Sequence, residues 1–443
     1  MDSGASGAGR PQRVHIYTDS RPPDPDGCGP GLVICSDIQA YLDLGCEVEF
    51  VYLQTQDKTP PSTPYFKEIA CTVVDARMER PSRYARLAYW AGRPLELSWQ
   101  QLYPARNALL REVNNRISQD NQAIHVFHYL HTANVIPSLP EARTIWVCHD
   151  IESEYIARGF TVNQKLANRK PYGWEERLRR RVIQLEREVA RCSGLVLCVS
   201  PEESQRIVEE WSAPYIAYLP ISIANVDSPA VTGQSRLAGK LRLLHVGVLE
   251  NPACYTSLEF LLTKVFPLLD ADTISRLKLE IAGKSETNGS LSKAIREMAR
   301  PFPNVQFSGF VDDIRAAYRR NDLQVVASTQ ATGRRTRIVE SWAFGMPVLS
   351  STVGAGGVAG LEPGKNILIA DDPRDFARIL QELVHAPSRL DEIAIAARRT
   401  YEARFSRRSV AATLRELLNT HFGMNLPSVE AKREFDQTVS ALF

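Results

Sequence analysis

Short apolar runs alternate with amphipathic stretches along this chain, and the alternation starts twice. Residues 13–18 (Arg-Val-His-Ile-Tyr-Thr) read as a strand, followed by a loop with Gly27, Gly29, Pro30 and Gly31, a helical stretch at 32–44 and a second strand at 46–53. Further strands read at 123–127, 144–148 and 194–199, separated by helical patterns. A polar segment, 225–235, then reads as a linker. The same grammar resumes with strands at 241–246, 277–282, 305–307, 323–327, 347–351 and 366–370. Strands that alternate with helices build parallel sheets. The pattern therefore predicts two doubly wound α/β domains in tandem, with a cleft at their junction lined by the carboxyl ends of both sets of strands.

One segment of the second half carries chemistry. Residues 322–328 form an apolar run, Ala331-Thr332-Gly333 a turn, and from Arg335 onward Ile338, Val339, Trp342 and Ala343 recur at helical spacing until Pro347. Arg334, Arg335 and Arg337 then fall in the first turns of a helix. Cations there oppose the helix macrodipole at about 0.3–1 kcal/mol each. An anion held by the free backbone N–H groups and the guanidinium forks turns that cost into binding, so a phosphate-bearing ligand is the economical account. An exposed, screened helix start is the plain structural alternative. Glu340 follows Arg337 by three residues and is placed on the polar side, opposite Ile338 and Trp342. It is either a surface ion pair of little worth or a grip on ribose hydroxyls beside the phosphates.

Composition narrows the classes. At 443 residues the chain is long enough for two or three domains. With 44% hydrophobic and 23% charged residues and a net charge of +2, it gives no global reason to expect a nucleic-acid partner. The eight cysteines include no CxxC pair, which argues against a metal or disulfide framework and for reduced thiols. Residues 1–12 are Gly- and Ser-rich and read as a disordered lead, not a signal peptide, and no apolar run reaches the ~18 residues of a membrane span. The GCGPG stretch ending at Gly31 does not match GxGxxG; it is a simple turn or a place where a ligand approaches the backbone. The arginine-rich helix at 176–190 and the aromatic stretch 83–103 read as a solvated basic face and ordinary packing, with lipid or acceptor contact as the functional alternative.

Five ordered segments carry a resemblance. They are LRLLHVGVLENPACYTSLEFLLTKVFPLL, LKLEIAGK, VQFSGFVDDIRAAYRRNDLQVVAS, ATGRRTRIVESWAFGMPVLSSTVGAGG and NILIADDPRDFARIL. Together, over about residues 241–382, this region resembles the donor domain of retaining GT-B glycosyltransferases of the glycosyltransferase family 4 type (glycosyl transferases group 1). GPGLVICSDIQAYLDLGCEVEFVYL and ARTIWVCHDIESEY are more weakly similar to that family's opening loop and strand-end histidine segment. The resemblance implies a GT-B fold. Its Rossmann-like acceptor domain would span 13–223, a linker 224–239, the nucleotide-sugar donor domain 240–405, and a helical segment crossing back to the first domain 406–443.

Carried over residue by residue, Glu340 would bind the ribose and Arg335 and Arg337 would neutralise the diphosphate. Thr332 and Gly333 would face the transferred sugar, and Gly247 and Lys284 would lie against the nucleotide. His149, with Asp150 behind it, would reach the sugar from the first domain; a strand-end histidine bonded to its own loop is the alternative. Gly29, Pro30 and Gly31 would form an acceptor-side loop. Three departures bear on sugar choice: Thr332 stands where many members have a second glutamate, Val248-Leu249-Glu250-Asn251 replace the usual basic pair after Gly247, and Gly356 replaces a frequent glutamate.

The implied activity is a retaining, metal-independent transfer of a sugar from a nucleotide-diphosphate sugar, a co-substrate with no further cofactor, to an acceptor hydroxyl. The acceptor is a glycan, lipid-linked sugar, protein or small molecule, in the biosynthesis of a glycan, glycolipid or glycoconjugate, and variable loops of the first domain around 57–64 and 160–174 would choose it. A cytoplasmic location follows, with peripheral contact at the inner membrane face left open. A catalytically silent nucleotide-sugar binder and a nucleotide-sugar epimerase are the competing readings.

Overall fold

The computed structural model describes residues 11–19, 29–54, 69–76, 105–166, 168, 170–211, 213–223, 240–285, 289–311, 313–329 and 336–426. Its first sheet contains β1 (Arg13–Asp19), β2 (Glu47–Gln54), β3 (Ala70–Asp75), β4 (Ile124–His128), β5 (Arg143–Cys148), β6 (Leu195–Cys198) and β7 (Ile216–Tyr218). All pairings are parallel, in the order β3-β2-β1-β4-β5-β6-β7. The second contains β8 (Leu241–Val246), β9 (Leu277–Ala282), β10 (Val305–Gly309), β11 (Leu323–Val326), β12 (Val348–Ser350) and β13 (Leu368–Ile369), also parallel, in the order β10-β9-β8-β11-β12-β13. The chain is thus two Rossmann-like α/β units. In each, the strand order reverses once, between β1 and β4 and between β8 and β11. Helices on either side of such a point leave in opposite directions and open a crevice at the carboxyl ends of the strands.

The central strands are apolar throughout because both faces are covered. Ile16 of β1, for example, lies opposite Phe50 of β2 and Val126 of β4, and all three are buried. Two strands have no counterpart in the sequence pattern: β3, whose residues alternate between exposed and half-buried, and β7, half-buried along its three residues. Both are sheet edges, where one flank is unpaired and the apolar signal thins.

Two expectations about the first half are corrected. Gly29, Pro30 and Gly31 belong to the opening turn of the helix Gly29–Asp43 rather than to a preceding loop; proline is tolerated in a first helical turn because the N–H it lacks has no partner there. The stretch 160–174, expected as a variable loop, is helical through Leu166, in the helix Glu152–Leu166, and a further helix starts at Gly173. The predicted linker at 225–235, the loop around 57–64 and the aromatic stretch 83–103 lie outside the described residues.

The two units share apolar packing. The helix Arg407–Phe422 follows the second unit in sequence but lies on the helix Gly29–Asp43 of the first. Val410, Leu414 and Leu418 enter one buried cluster with Ile34, Ile38 and Tyr41, and the same cluster continues through Phe405 and Tyr401 to Trp342. The Tyr401 hydroxyl donates to the carbonyl of Ile223 at 3.2 Å and accepts from its N–H at 3.4 Å. On the other side Val162, from the helix that follows β5, is buried among the apolar residues of the second unit, near the helix Pro252–Phe260 that follows β8. The helices that leave the carboxyl ends of β5 and β8 thus touch across the junction of the two units.

Candidate functional site

The second unit contributes a tight glycine corner. Gly247 ends β8 and Gly283 ends β9; the Gly247 N–H donates to the Ala282 carbonyl at 3.0 Å and the Gly283 N–H to the Gly309 carbonyl at 2.7 Å. Gly283 has φ +155°, and a Cβ there would stand 1.9 Å from the Gly247 carbonyl oxygen. No side chain fits, so bare backbone is presented at the switch point. Lys284 follows directly, its side chain exposed.

Arg337 lies against this corner. It sits in the first turn of the helix Thr336–Ala343, and a Cβ on Gly247 would be 3.4 Å from its Nη1 and 3.6 Å from its Nη2. Nη1 is buried and has no hydrogen-bond partner among the described residues. An unsatisfied buried donor costs about 1–3 kcal/mol, and more when it is charged. Beneath it, fully buried His245 is 3.2 Å from the Cys254 thiol and 3.1 Å from the Val325 carbonyl. Burial, and then the charge of Arg337, hold His245 down at about 3, so His245 adds no charge here.

Glu340 is not on a solvent face, as the helical pattern had suggested. Every residue from Ile338 to Ala343 is buried, because this short helix is packed between its own sheet and the helix Arg389–Arg404. The Glu340 carboxylate accepts from the Tyr318 hydroxyl at 2.8 Å. Burial raises its pKa to about 7, against the opposing effects of that hydrogen bond and of Arg337. Thr332, Gly333, Arg334 and Arg335 lie outside the described residues.

This burial has a measurable sign. A carboxyl whose folded pKa exceeds its unfolded value contributes full stability below the ordinary carboxylate range; that contribution falls as pH rises toward 7, then levels off. Glu186, also raised to about 7 by burial, adds a parallel slope. Glu340→Gln should therefore gain stability relative to the parent between pH 5 and pH 8 while keeping the Glu186 contribution. Urea midpoints of both proteins at the two pH values test this, and a constant difference would contradict it.

The first unit contributes a histidine-rich rim. His149 follows β5, and its Nε2 lies 2.9 Å from Nδ1 of His128, the last residue of β4. The ring of Tyr129 stacks on His149 with centroids 3.8 Å apart and planes 17° from parallel. Tyr129 has φ +67°, a left-handed conformation costing a non-glycine residue about 1–3 kcal/mol. On the far side of His128, its Nε2 is 3.6 Å from the Asp37 carboxylate of the helix Gly29–Asp43. Asp150 is half-buried, and its carbonyl accepts from the Cys148 thiol. Beside them His131 lies 3.4 Å from Asp19, the last residue of β1, and 3.8 Å from Glu152.

The structure thus gathers Gly247, Lys284, Arg337 and Glu340 around one switch point, and His149 and Asp150 at the carboxyl ends of the other sheet. The sequence reading missed Asp37, His128, Tyr129 and Tyr318. For His128 a signal was present: like His149, it directly ends an apolar strand. A cavity of about 330 Å³ lies at the amino ends of β1, β2 and β3, lined by Arg13, His15, Glu47, Glu49, Arg116 and Asp120 among others. Its charges are mutually paired, with Glu49 accepting from Thr72 and Arg116 at 2.6 Å and 3.0 Å from His15. The switch points, one of which holds a buried guanidinium nitrogen with no hydrogen-bond partner among the described residues, are the better candidates.

The chain is similar to known proteins over both units. Residues 240–386 match the family model described as glycosyl transferases group 1. No curated protein sequence matches the chain. Among solved structures, sucrose-phosphate synthase from Thermosynechococcus elongatus is similar over 93% of this chain and 99% of its own, with a TM-score of 0.70 at 15% identity. HepE of Anabaena, solved with UDP and glucose, is similar over 92% of this chain and 100% of its own, with a TM-score of 0.67 at 14% identity. WaaG, a glycosyltransferase involved in lipopolysaccharide biosynthesis, covers 91% of this chain and 99% of its own, with a TM-score of 0.62 at 12% identity. The fold is GT-B, and the match to the group 1 model falls on its second unit.

Proposed function

We propose that this protein transfers a sugar from a nucleotide-diphosphate sugar to an acceptor hydroxyl, with retention of anomeric configuration. The observation that carries the reading is the buried Nη1 of Arg337, without a hydrogen-bond partner among the described residues, beside the side-chain-free corner of Gly247 and Gly283. A diphosphate satisfies that donor, and Lys284, with Arg335 of the adjoining segment, adds charge. Glu340 takes the ribose hydroxyls. As the bond from the anomeric carbon to the phosphate oxygen breaks, the developing negative charge falls to these cations, which is why the reading needs no metal. The acceptor oxygen forms its bond on the same face, and its proton goes to the leaving phosphate. His149 orients the sugar from the opposite rim, with Asp150 behind it.

HepE was solved with UDP and with UDP-glucose, and a variant of TarM of S. aureus with UDP and fondaparinux; uridine nucleotides and a glycan acceptor are therefore the first to try. Glu250 favours a second reading, a silent nucleotide-sugar binder. Where the resemblance places basic residues, its carboxylate accepts from the N–H groups of Leu291 and Ser292 at 3.3 and 3.0 Å. No helix among the described residues is long and apolar enough to cross a membrane, and we place the protein in the cytoplasm.

Thermal unfolding with uridine, guanosine and adenosine diphosphates and their glucose or mannose conjugates tests the reading. Ligand at a hundred times Kd stabilises by about 2.7 kcal/mol, so one base should raise Tm by several degrees. No rise with any nucleotide at millimolar concentration would sink the proposal. Binding without transfer or hydrolysis across an acceptor panel would instead establish the silent binder.

A further inference from the structure

Asp37, His128 and His149 form a file of three buried polar side chains from three different elements, running from the helix Gly29–Asp43 to the cleft rim. The two imidazoles approach to 2.9 Å, so a single hydrogen lies between His128 Nδ1 and His149 Nε2. Which ring owns it depends on what His128 does with its other nitrogen. That nitrogen, Nε2, is buried, makes no hydrogen bond within ordinary limits, and has the Asp37 carboxylate 3.6 Å away. Full burial holds His128 neutral, with a pKa pushed down to about 3, so it carries one proton only. An ionised carboxylate is purely an acceptor, and it draws that proton to Nε2.

We infer that Asp37 and His128 are positioning residues that set the tautomer of His149: the carboxylate keeps the His128 proton on Nε2, His128 Nδ1 accepts from His149 Nε2–H, and the His149 lone pair is left on Nδ1. The Tyr129 ring, held by its left-handed backbone, fixes the plane in which that lone pair lies. The arrangement has the logic of a carboxylate orienting an imidazole, extended by one ring. So fixed, His149 carries an acceptor at Nδ1; in the opposite tautomer it would carry a donor there. Its consequence for transfer rests on the function proposed above, whereas the tautomer does not.

The test separates the two. In protein labelled with 15N-histidine, two-bond 1H–15N correlation spectra report the protonated nitrogen of each ring, and His149→Gln assigns the signal. The parent protein should show His149 protonated at Nε2. Asp37→Asn, nearly isosteric, should move a substantial part of the His149 population to the Nδ1–H form and lower kcat at least tenfold with KM for the nucleotide sugar unchanged. His128→Asn, whose Oδ1 can replace the Nδ1 acceptor, should keep the Nε2–H form and more turnover than His128→Leu. A parent protein with His149 protonated at Nδ1, or an unchanged tautomer in Asp37→Asn, overturns the inference. If Asp37→Asn does not fold, the parent spectrum and the two His128 variants decide. Correct tautomers in a protein that transfers no sugar would refute the function and leave the inference standing.

Discussion

Arg337→Ala should lose nucleoside diphosphate affinity by roughly 10- to 200-fold, the ~1.5–3 kcal/mol of a charged hydrogen bond, and turnover by about 10²–10³-fold. The gap between the two losses is expected because charge on the leaving phosphate grows as the bond breaks, and a fixed guanidinium is worth most at that moment. The same substitution should not lower Tm. It removes a cation whose Nη1 has no hydrogen-bond partner among the described residues, whereas an arginine serving the fold would take stability with it. Arg337→Lys should fall between, since a point charge replaces a fork. Titration calorimetry with the diphosphate, steady-state kinetics and a melting curve read all three quantities. Unchanged binding and turnover in Arg337→Ala would remove the residue from the site.

Gly283→Ala should be the most damaging single methyl in the second unit. Its Cβ would stand 1.9 Å from the Gly247 carbonyl oxygen and 2.7 Å from the carbonyl carbon, at a φ of +155° that side chains rarely adopt. The neighbour is backbone and cannot swing aside, so β8 and β9 must part. The expected loss is about 4 kcal/mol or more, in the range reserved for strain and overpacking at special positions. Whatever protein still folds should no longer bind nucleotide. Gly309→Ala is the control: its φ is +68° but a Cβ there meets nothing within 4 Å, so only the conformational cost remains. Equal urea midpoints for Gly283→Ala and the parent would show that the corner is looser than it stands here.

Much of the architecture was legible in the sequence because buried parallel strands write themselves as apolar runs: β8 and β9 fall on the residues expected. The edge strands β3 and β7 were not, since an unpaired flank needs no such run. At the site, periodicity placed Arg337 in a first helical turn but put Glu340 on the wrong face. A helical wheel records what a residue is and not what lies opposite it, and here Tyr318, distant in sequence, supplies the hydroxyl that lets a carboxyl be buried. The Asp37, His128, His149 file was invisible for the same reason. Its members lie on one helix and two strand ends that only the sheet order brings together.

The Tyr401 hydroxyl bonded to both the N–H and the carbonyl of Ile223 has a mechanical meaning. Ile223 lies at the end of the first unit and Tyr401 on the helix Arg389–Arg404 shortly before the chain returns to that unit, and this pair of bonds pins the two points side by side. Two separate tethers would let the halves slide and twist. Pinned together, they act as one joint that resists sliding of one unit along the other.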